Sequence, residues 1–271
     1  MTNQTNTLSE NIIKEFKVNG AVFLPGIFSN WVSCLRKGVS AVMKAPSERE
    51  RSYEKNKDTP GFFNDFCNWQ RINELRDFVY NSNSGEVAAQ LMCSRTARFF
   101  HDHILVKEPG SSTVTPWHQD QPYYPVAGFQ SVSFWIPLDP VPRKRSIEFI
   151  KGSHTWGQFK PRRFDGTDLF PNDPRNHFPD IDELNCSPKF LGSEMRPGDA
   201  AAFNFNIFHR APANSSKRRR RVISMRWVGD DAKFAVRLGR TSPDFSYLNY
   251  RDGEPFSAPE FPLVFGRKTT E

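Results

Sequence analysis

The chain has few of the features that would place it in a disulfide-held, zinc-thiolate or membrane class. Its four cysteines, Cys34, Cys67, Cys93 and Cys186, show no CxxC pair or other metal-ligand spacing. Neither a thiolate metal site nor a disulfide framework is therefore the reading. No stretch approaches the ~18 consecutive apolar residues of a membrane-spanning helix. The first residues, MTNQTNTLSENIIKEF, are polar and lack the apolar segment of a secretory signal. A cytoplasmic protein with free thiols is the expectation. Internal repeats, low-complexity tracts and linkers are also missing. One domain over 1–271 is expected, with a helical part to about residue 95, a β-rich core over about 96–235 and a tail over 236–271.

What the chain does have is phenylalanine, 25 of 271 residues, and these rings are expected to pack a core or line a pocket. It also has a formal charge of +7, part of it in the run Lys217, Arg218, Arg219, Arg220 and Arg221. Such a run is ordinarily a solvated turn. No nucleic-acid-binding motif accompanies it, so nucleic acid is an unfavoured partner.

Along the chain, residues 8–19 (LSENIIKEFKVN) read as an amphipathic helix with Ser9 as its N-cap, and AVFLPG as a short strand and turn. Residues 29–46 read as a second helix capped by Ser29, and 84–93 as another. Residues 47–80 resist assignment. From about residue 98, short β-rich runs alternate with Pro/Gly turns: RFFHDHILVKEPG, QSVSFWIPLDPVP, SIEFIKGSH, KFLGSEMRPGD, AAFNFNIFHRAP and RRVISMRWVGD. Such spacing predicts an all-β sandwich or barrel. A long polar stretch over 159–190 interrupts it, as a functional loop can.

The densest chemical signal is PWHQDQPYY at 116–124. On a strand, His118 and Asp120 would project from one face and aim an imidazole and a carboxylate at one spot. His209, placed at the end of the apolar strand AAFNFNIF, is the candidate third ligand. Two histidines and one carboxylate make the facial triad of non-haem iron(II) oxygenases, which leaves positions on the metal open. Arg220 lies eleven residues beyond His209, across a turn-like segment, and could clamp a carboxylate with paired hydrogen bonds. Strand alternation sets Arg220, Val222, Ser224 and Arg226 on one face and Arg221, Ile223 and Met225 on the other, without saying which looks inward. His101 and His103 are expected to be ordinary strand residues, His154 a loop residue, His177 a surface residue and Lys107 exposed. Trp117, Tyr123, Tyr124 and Trp156 are left open between pocket and core.

The order WHQD, FWIPLD, FIKGSHTWG, RPGDAAAFN, HRAPANSS, RRRVISMRW, with LVKEPG upstream, resembles the phytanoyl-CoA dioxygenase family of 2-oxoglutarate oxygenases over about residues 15–235. The resemblance implies a mainly β fold with N-terminal helices, a double-stranded β-helix or jelly roll of the cupin-like kind. It implies that His118, Asp120 and His209 are iron(II) ligands and that Arg220 pairs with the far carboxylate of 2-oxoglutarate. It also implies that Gln119 and Trp135 line the cosubstrate pocket. Tyr123 and Tyr124 are expected beside the substrate. The reaction implied is hydroxylation of a small organic metabolite by O₂, with 2-oxoglutarate converted to succinate. Related halogenases lack the carboxylate, so Asp120 favours hydroxylation. Where many members carry an acidic-Asn-Gly segment, this chain has RKRSIEF; Arg143, Lys144 and Arg145, with Arg162 and Arg163, hint at an anionic substrate. A non-oxidative cupin-like metal protein is the competing reading, since it could share the triad without needing Arg220.

Overall fold

The computed structural model describes residues 7–53, 61–163, 166–177 and 189–266. The helices come first in the chain: α1 (Glu10–Asn19), α2 (Val32–Lys44), α3 (Asn73–Asn81) and α4 (Ser84–Met92). Interleaved with them are β1 (Ala21–Leu24) and β2 (Phe62–Phe66). The remaining strands follow as β3 (Ala97–Lys107), β4 (Thr115–His118), β5 (Val126–Ala127), β6 (Ser131–Pro137), β7 (Glu148–Ile150), β8 (Phe190–Leu191), β9 (Ala200–Phe203), β10 (His209–Ala211), β11 (Arg220–Val228), β12 (Lys233–Phe234) and β13 (Leu263–Phe265). No helix among the described residues is long and apolar enough to cross a membrane.

All strand pairings among the described residues are antiparallel. The larger sheet runs β1-β9-β6-β11-β3-β13, with β2 also on β3, and the smaller runs β4-β10-β7-β8; β5 and β12 form a separate two-stranded ribbon. Strand alternation divides the larger sheet cleanly. Phe134, Ile136, Ile223, Met225 and Trp227 pack against the helices with Leu35, Val39, Phe78 and Leu91. The other face, with Trp135, Ala201, Phe203 and Val222, packs against Phe149 of the smaller sheet and Ile147 just before it. The result is helices over a sheet over a second sheet, consistent with a jelly-roll-like arrangement. Arg220, Val222, Ser224 and Arg226 lie on the face toward the smaller sheet, which settles the orientation that alternation left open.

Some local readings hold and others do not. Ser9 does cap α1, accepting from the Ile12 amide, and Gly20 ends it in the left-handed region. A side chain at Gly20 would run into the His154 ring at 2.5 Å. Ser29 caps no helix, because Ser29–Trp31 forms a short 3-10 turn and α2 starts at Val32 with no side-chain cap. The PGD turn fixes that junction instead: Asp199 accepts from the amides of Gly26 and Arg196 at 2.7 and 2.6 Å. The unassigned stretch 47–80 holds β2 and α3. Lys107 is buried rather than exposed, because its ammonium is taken up by the carbonyls of Thr113 (2.6 Å) and Pro212 (3.1 Å) and lies 4.7 Å from the Phe62 ring centre.

The C-terminal segment is not a loose tail. It contributes β13 to the edge of the larger sheet, and Phe245, Phe256 and Phe261 pack around Phe100 with ring centres 5.6–5.9 Å away.

Candidate metal centre

The smaller sheet carries both histidines. His118 closes β4 and His209 opens β10, and the two stand opposite one another in the antiparallel ladder. Their ring centres are 4.1 Å apart. His209 does not end the strand that starts at Ala200. That strand stops at Phe203, because Asn204 breaks it: its side-chain oxygen takes the Asn206 amide (2.9 Å), and its carbonyl takes the Ile207 amide (3.1 Å). The chain therefore crosses from the larger sheet to the smaller before reaching His209.

Asp120 reaches the site by a different route from the strand geometry that HxD implies. It lies past the end of β4 with helical angles (φ −76°, ψ −44°), at the head of a 3-10 turn containing Pro122. Its amide and that of Gln121 both donate to the Phe205 carbonyl, at 2.8 and 3.0 Å, which anchors the turn to the segment before His209. Asp120 Oδ1 then lies 3.7 Å from His118 Nε2 and 3.8 Å from His209 Nε2. One donor atom from each residue falls within 4.8 Å of the others, a spacing able to hold a metal ion.

The surroundings prepare each donor. His118 Nδ1 contacts the Pro116 carbonyl (2.8 Å) and His209 Nδ1 the Ile207 carbonyl (3.0 Å). Each contact places the proton on Nδ1 and leaves the Nε2 lone pair for a metal. Burial, then the neighbouring His118, lowers the His209 pKa to about 3, so this imidazole is neutral. Asp120 is as deeply buried as His209. Burial opposes its charge, but Arg226 and the two histidines hold its carboxyl well below the usual range. Arg226 donates Nε and an Nη to Asp120 Oδ2 at 3.3 and 3.2 Å, which leaves Oδ1 facing the histidines. Strand alternation sets Arg226 on the face of Arg220, and its pairing with Asp120 appears only in the fold.

Arg220 is 6% exposed at the start of β11. It donates to the carbonyls of Arg145 (2.6 Å) and Pro212 (3.1 Å), and pairs with no acid among the described residues. Burial, then the nearby Arg145, pulls its pKa down to about 10, so it stays charged at neutrality. A buried cation without a counter-charge is costly, and a ligand carboxylate would supply that charge. Val222, next on the same face, belongs to the Phe149–Phe203 cluster on which His209 rests, the Phe203 and His209 ring centres being 4.6 Å apart.

The other candidates lie close by. Trp135 is buried on the same face, opposite Ser224 in the ladder. Gln119 is buried too: its amide donates to Gly157 and Asn206, both at 2.7 Å, and its oxygen accepts from Phe159 at 3.0 Å. Tyr123 stands edge-on to His118 with ring centres 6.0 Å apart. Tyr124 is buried, its ring 5.5 Å from the Arg226 guanidinium. His101 and His103 lie on β3 opposite Arg226 and Ser224. The His103 ring stacks on Phe66 at 3.9 Å, and neither ring nitrogen of His101 has a hydrogen-bond partner among the described residues.

The sequence matches the model of the phytanoyl-CoA dioxygenase family over residues 16–222. The chain belongs to the phytanoyl-CoA dioxygenase family. Among solved structures it is similar to SnoK, a non-haem alpha-ketoglutarate-dependent carbocyclase from nogalamycin biosynthesis. That match has a TM-score of 0.75 and 22% identity, over 95% of this chain and 97% of the other. It is similar to the epimerase SnoN in complex with Fe³⁺, alpha-ketoglutarate and nogalamycin RO, with a TM-score of 0.74 and 19% identity over 94% and 98%. EvdO2 from Micromonospora carbonacea var. aurantiaca, complexed with 2-oxoglutarate, matches with a TM-score of 0.62 and 17% identity over 86% and 95%. The cofactors of this family, iron and 2-oxoglutarate, are the ones the sequence resemblance implied. The donor set of His118, Asp120 and His209 fits iron(II), and Arg220, with no acid beside it among the described residues, fits a dicarboxylate.

Proposed function

We propose that the protein is an iron(II)- and 2-oxoglutarate-dependent oxygenase that hydroxylates a small organic molecule, within a double-stranded β-helix. The observation that carries this reading is the pairing of a His-Asp-His cluster with a buried, acid-free arginine on the facing sheet. A cupin-like metal protein that consumes no 2-oxoglutarate has no use for Arg220.

In this reading His118 Nε2, Asp120 Oδ1 and His209 Nε2 hold the metal, and Arg220 binds the C5 carboxylate of 2-oxoglutarate. When bound, iron and 2-oxoglutarate supply, with O₂, an oxidant able to take hydrogen from unactivated carbon, leaving succinate and CO₂. The chain's part is geometry and charge. The Pro116 and Ile207 carbonyls fix both histidine tautomers. Arg226 keeps Asp120 ionised and turned. Trp135, Phe149 and Phe203 keep water from the region between Arg220 and His209. Gln119 secures the 157–159 segment over the site, and Tyr123 with Tyr124 forms the wall toward the substrate.

The test is anaerobic titration of Fe(II) and 2-oxoglutarate into the protein, following the visible metal-to-ligand charge-transfer band. The band is expected in the wild type and not in His209→Ala. Iron binding without the band would bring the cupin-like reading forward. Two of the structural neighbours are named as a carbocyclase and an epimerase, so product mass decides the outcome class. Hydroxylation adds one oxygen, epimerisation leaves the mass unchanged, and ring closure removes two hydrogens.

A further inference from the structure

We propose that the substrate carries a carboxylate or phosphate group, held by Arg49, Arg51 and Arg163 in the cavity that opens beside Phe66. The proposal rests on the oxygenase reading for the fate of the bound molecule, and on the cavity alone for its charge.

The cavity has a volume of about 490 Å³ and is walled by these three arginines with Phe66, Leu169 and Tyr247. That size suits a small-molecule ligand. Among the described residues its charge is unbalanced. Arg240, also on the wall, is matched by Asp244 at 2.9 Å. The Arg49 guanidinium donates to the Asp244 carbonyl (2.8 Å) and rests against the rings of Phe245 and Tyr247 at 5.5 and 5.8 Å. Arg51 donates to the carbonyls of Glu48 and Glu50 at 3.4 and 2.8 Å. Arg163 donates to the Thr167 hydroxyl (3.4 Å) and to the carbonyls of Asp168 and Leu169 (2.5 and 3.3 Å). None of the three pairs with a carboxylate among the described residues, and Glu48 is the one acid on the wall besides Asp244.

This repeats the arrangement of Arg220, in which backbone oxygens position a guanidinium whose charge no acid among the described residues meets. Three such cations around one concave space repel one another, and an anion there relieves the repulsion while accepting paired hydrogen bonds. The apolar wall of Phe66, Leu169 and Tyr247 suits a hydrocarbon or aromatic body attached to that anion.

Two links tie the cavity to the metal centre. Phe66 stacks on His103, which lies on the β3 face opposite Ser224. On the other side, the Ser242 amide on the cavity wall donates to the Tyr123 carbonyl (3.0 Å), and the Tyr123 ring stands edge-on to His118. The charge of Arg49 also reaches His101, adding to burial and Arg226 in holding that imidazole neutral. Of the basic residues that the sequence linked to an anion, Arg143 is paired with Glu148 at 2.9 Å and Arg162 lies 3.9 Å from Asp168; Arg163 alone of them is on this wall.

The experiment measures binding of phenyl phosphate, phenylacetate and the neutral control benzyl alcohol by calorimetry, at fixed ionic strength, to the full chain with excess Mn(II) and 2-oxoglutarate. At least one anion is expected to bind saturably and benzyl alcohol not to; which anion binds tells phosphate from carboxylate. The double variant Arg51→Gln, Arg163→Gln, at exposed positions, is expected to weaken that binding by about tenfold or more with 2-oxoglutarate binding unchanged. Absence of saturable anion binding, equal binding of benzyl alcohol, or a double variant as tight as wild type would overturn the proposal. So would weakening of 2-oxoglutarate in parallel, since the arginines would then belong to the cosubstrate. Arg220→Gln separates the two readings: it should lose 2-oxoglutarate affinity and keep the anion probe, and unaltered 2-oxoglutarate affinity there counts against the oxygenase assignment instead.

Discussion

Arg220 and Arg226 stand six positions apart on one face of β11, and their partners separate their tasks. Arg220 has carbonyls but no acid among the described residues, and the proposed function gives it the far carboxylate of 2-oxoglutarate as its partner. Arg220→Gln should weaken 2-oxoglutarate binding by about 2–5 kcal/mol, read as a raised dissociation constant in the anaerobic titration. Arg220→Lys should recover only part of this, since an ammonium cannot make the paired contact. Arg226 already has its acid, Asp120. Arg226→Met should leave that carboxylate buried and free to turn. Mn(II) affinity, measured by calorimetry, should fall by about 10–100-fold, the usual cost of losing an outer-shell partner. The sequence marked Arg220 by its spacing from His209. It could not mark Arg226, because the acid it meets is 106 positions away and only folding brings them together.

Among the elements, β11 shows how much alternation can say. Period two sorted its residues correctly into two sets, yet only the helices packed on Ile223, Met225 and Trp227 decide which set faces out from the site. Ile223→Ala should therefore destabilise the fold by about 2–5 kcal/mol in urea unfolding while leaving 2-oxoglutarate affinity unchanged in the folded fraction. The run AAFNFNIFH was legible as apolar but not as two elements. Nothing in hydropathy distinguishes a strand from a strand that stops; Asn204 does so through a side-chain bond to the backbone two residues on. The HxD pair was likewise correct as a cluster, although Asp120 reaches His118 from a 3-10 turn.

For the molecule as a whole, the segment after residue 241 is structural. Its phenylalanines are scattered among Pro, Gly and charged residues with no period, which hid their packing around Phe100 and Tyr124. Truncation after residue 240 should expose that aromatic cluster and free the β13 side of β3. Increased binding of a hydrophobic dye and loss of a cooperative thermal transition would show it; an intact transition would argue against this role. The pairing of His118 with His209 across β4 and β10 has a consequence of its own. Cα atoms paired in an antiparallel ladder sit about 4.5–5.5 Å apart whatever their side chains do. The separation of the two imidazoles is thus inherited from the weave of the smaller sheet. Gathering these two candidate ligands is completed when the chain folds, and under the proposed function an arriving ion would meet a seat whose shape the sheet has already set.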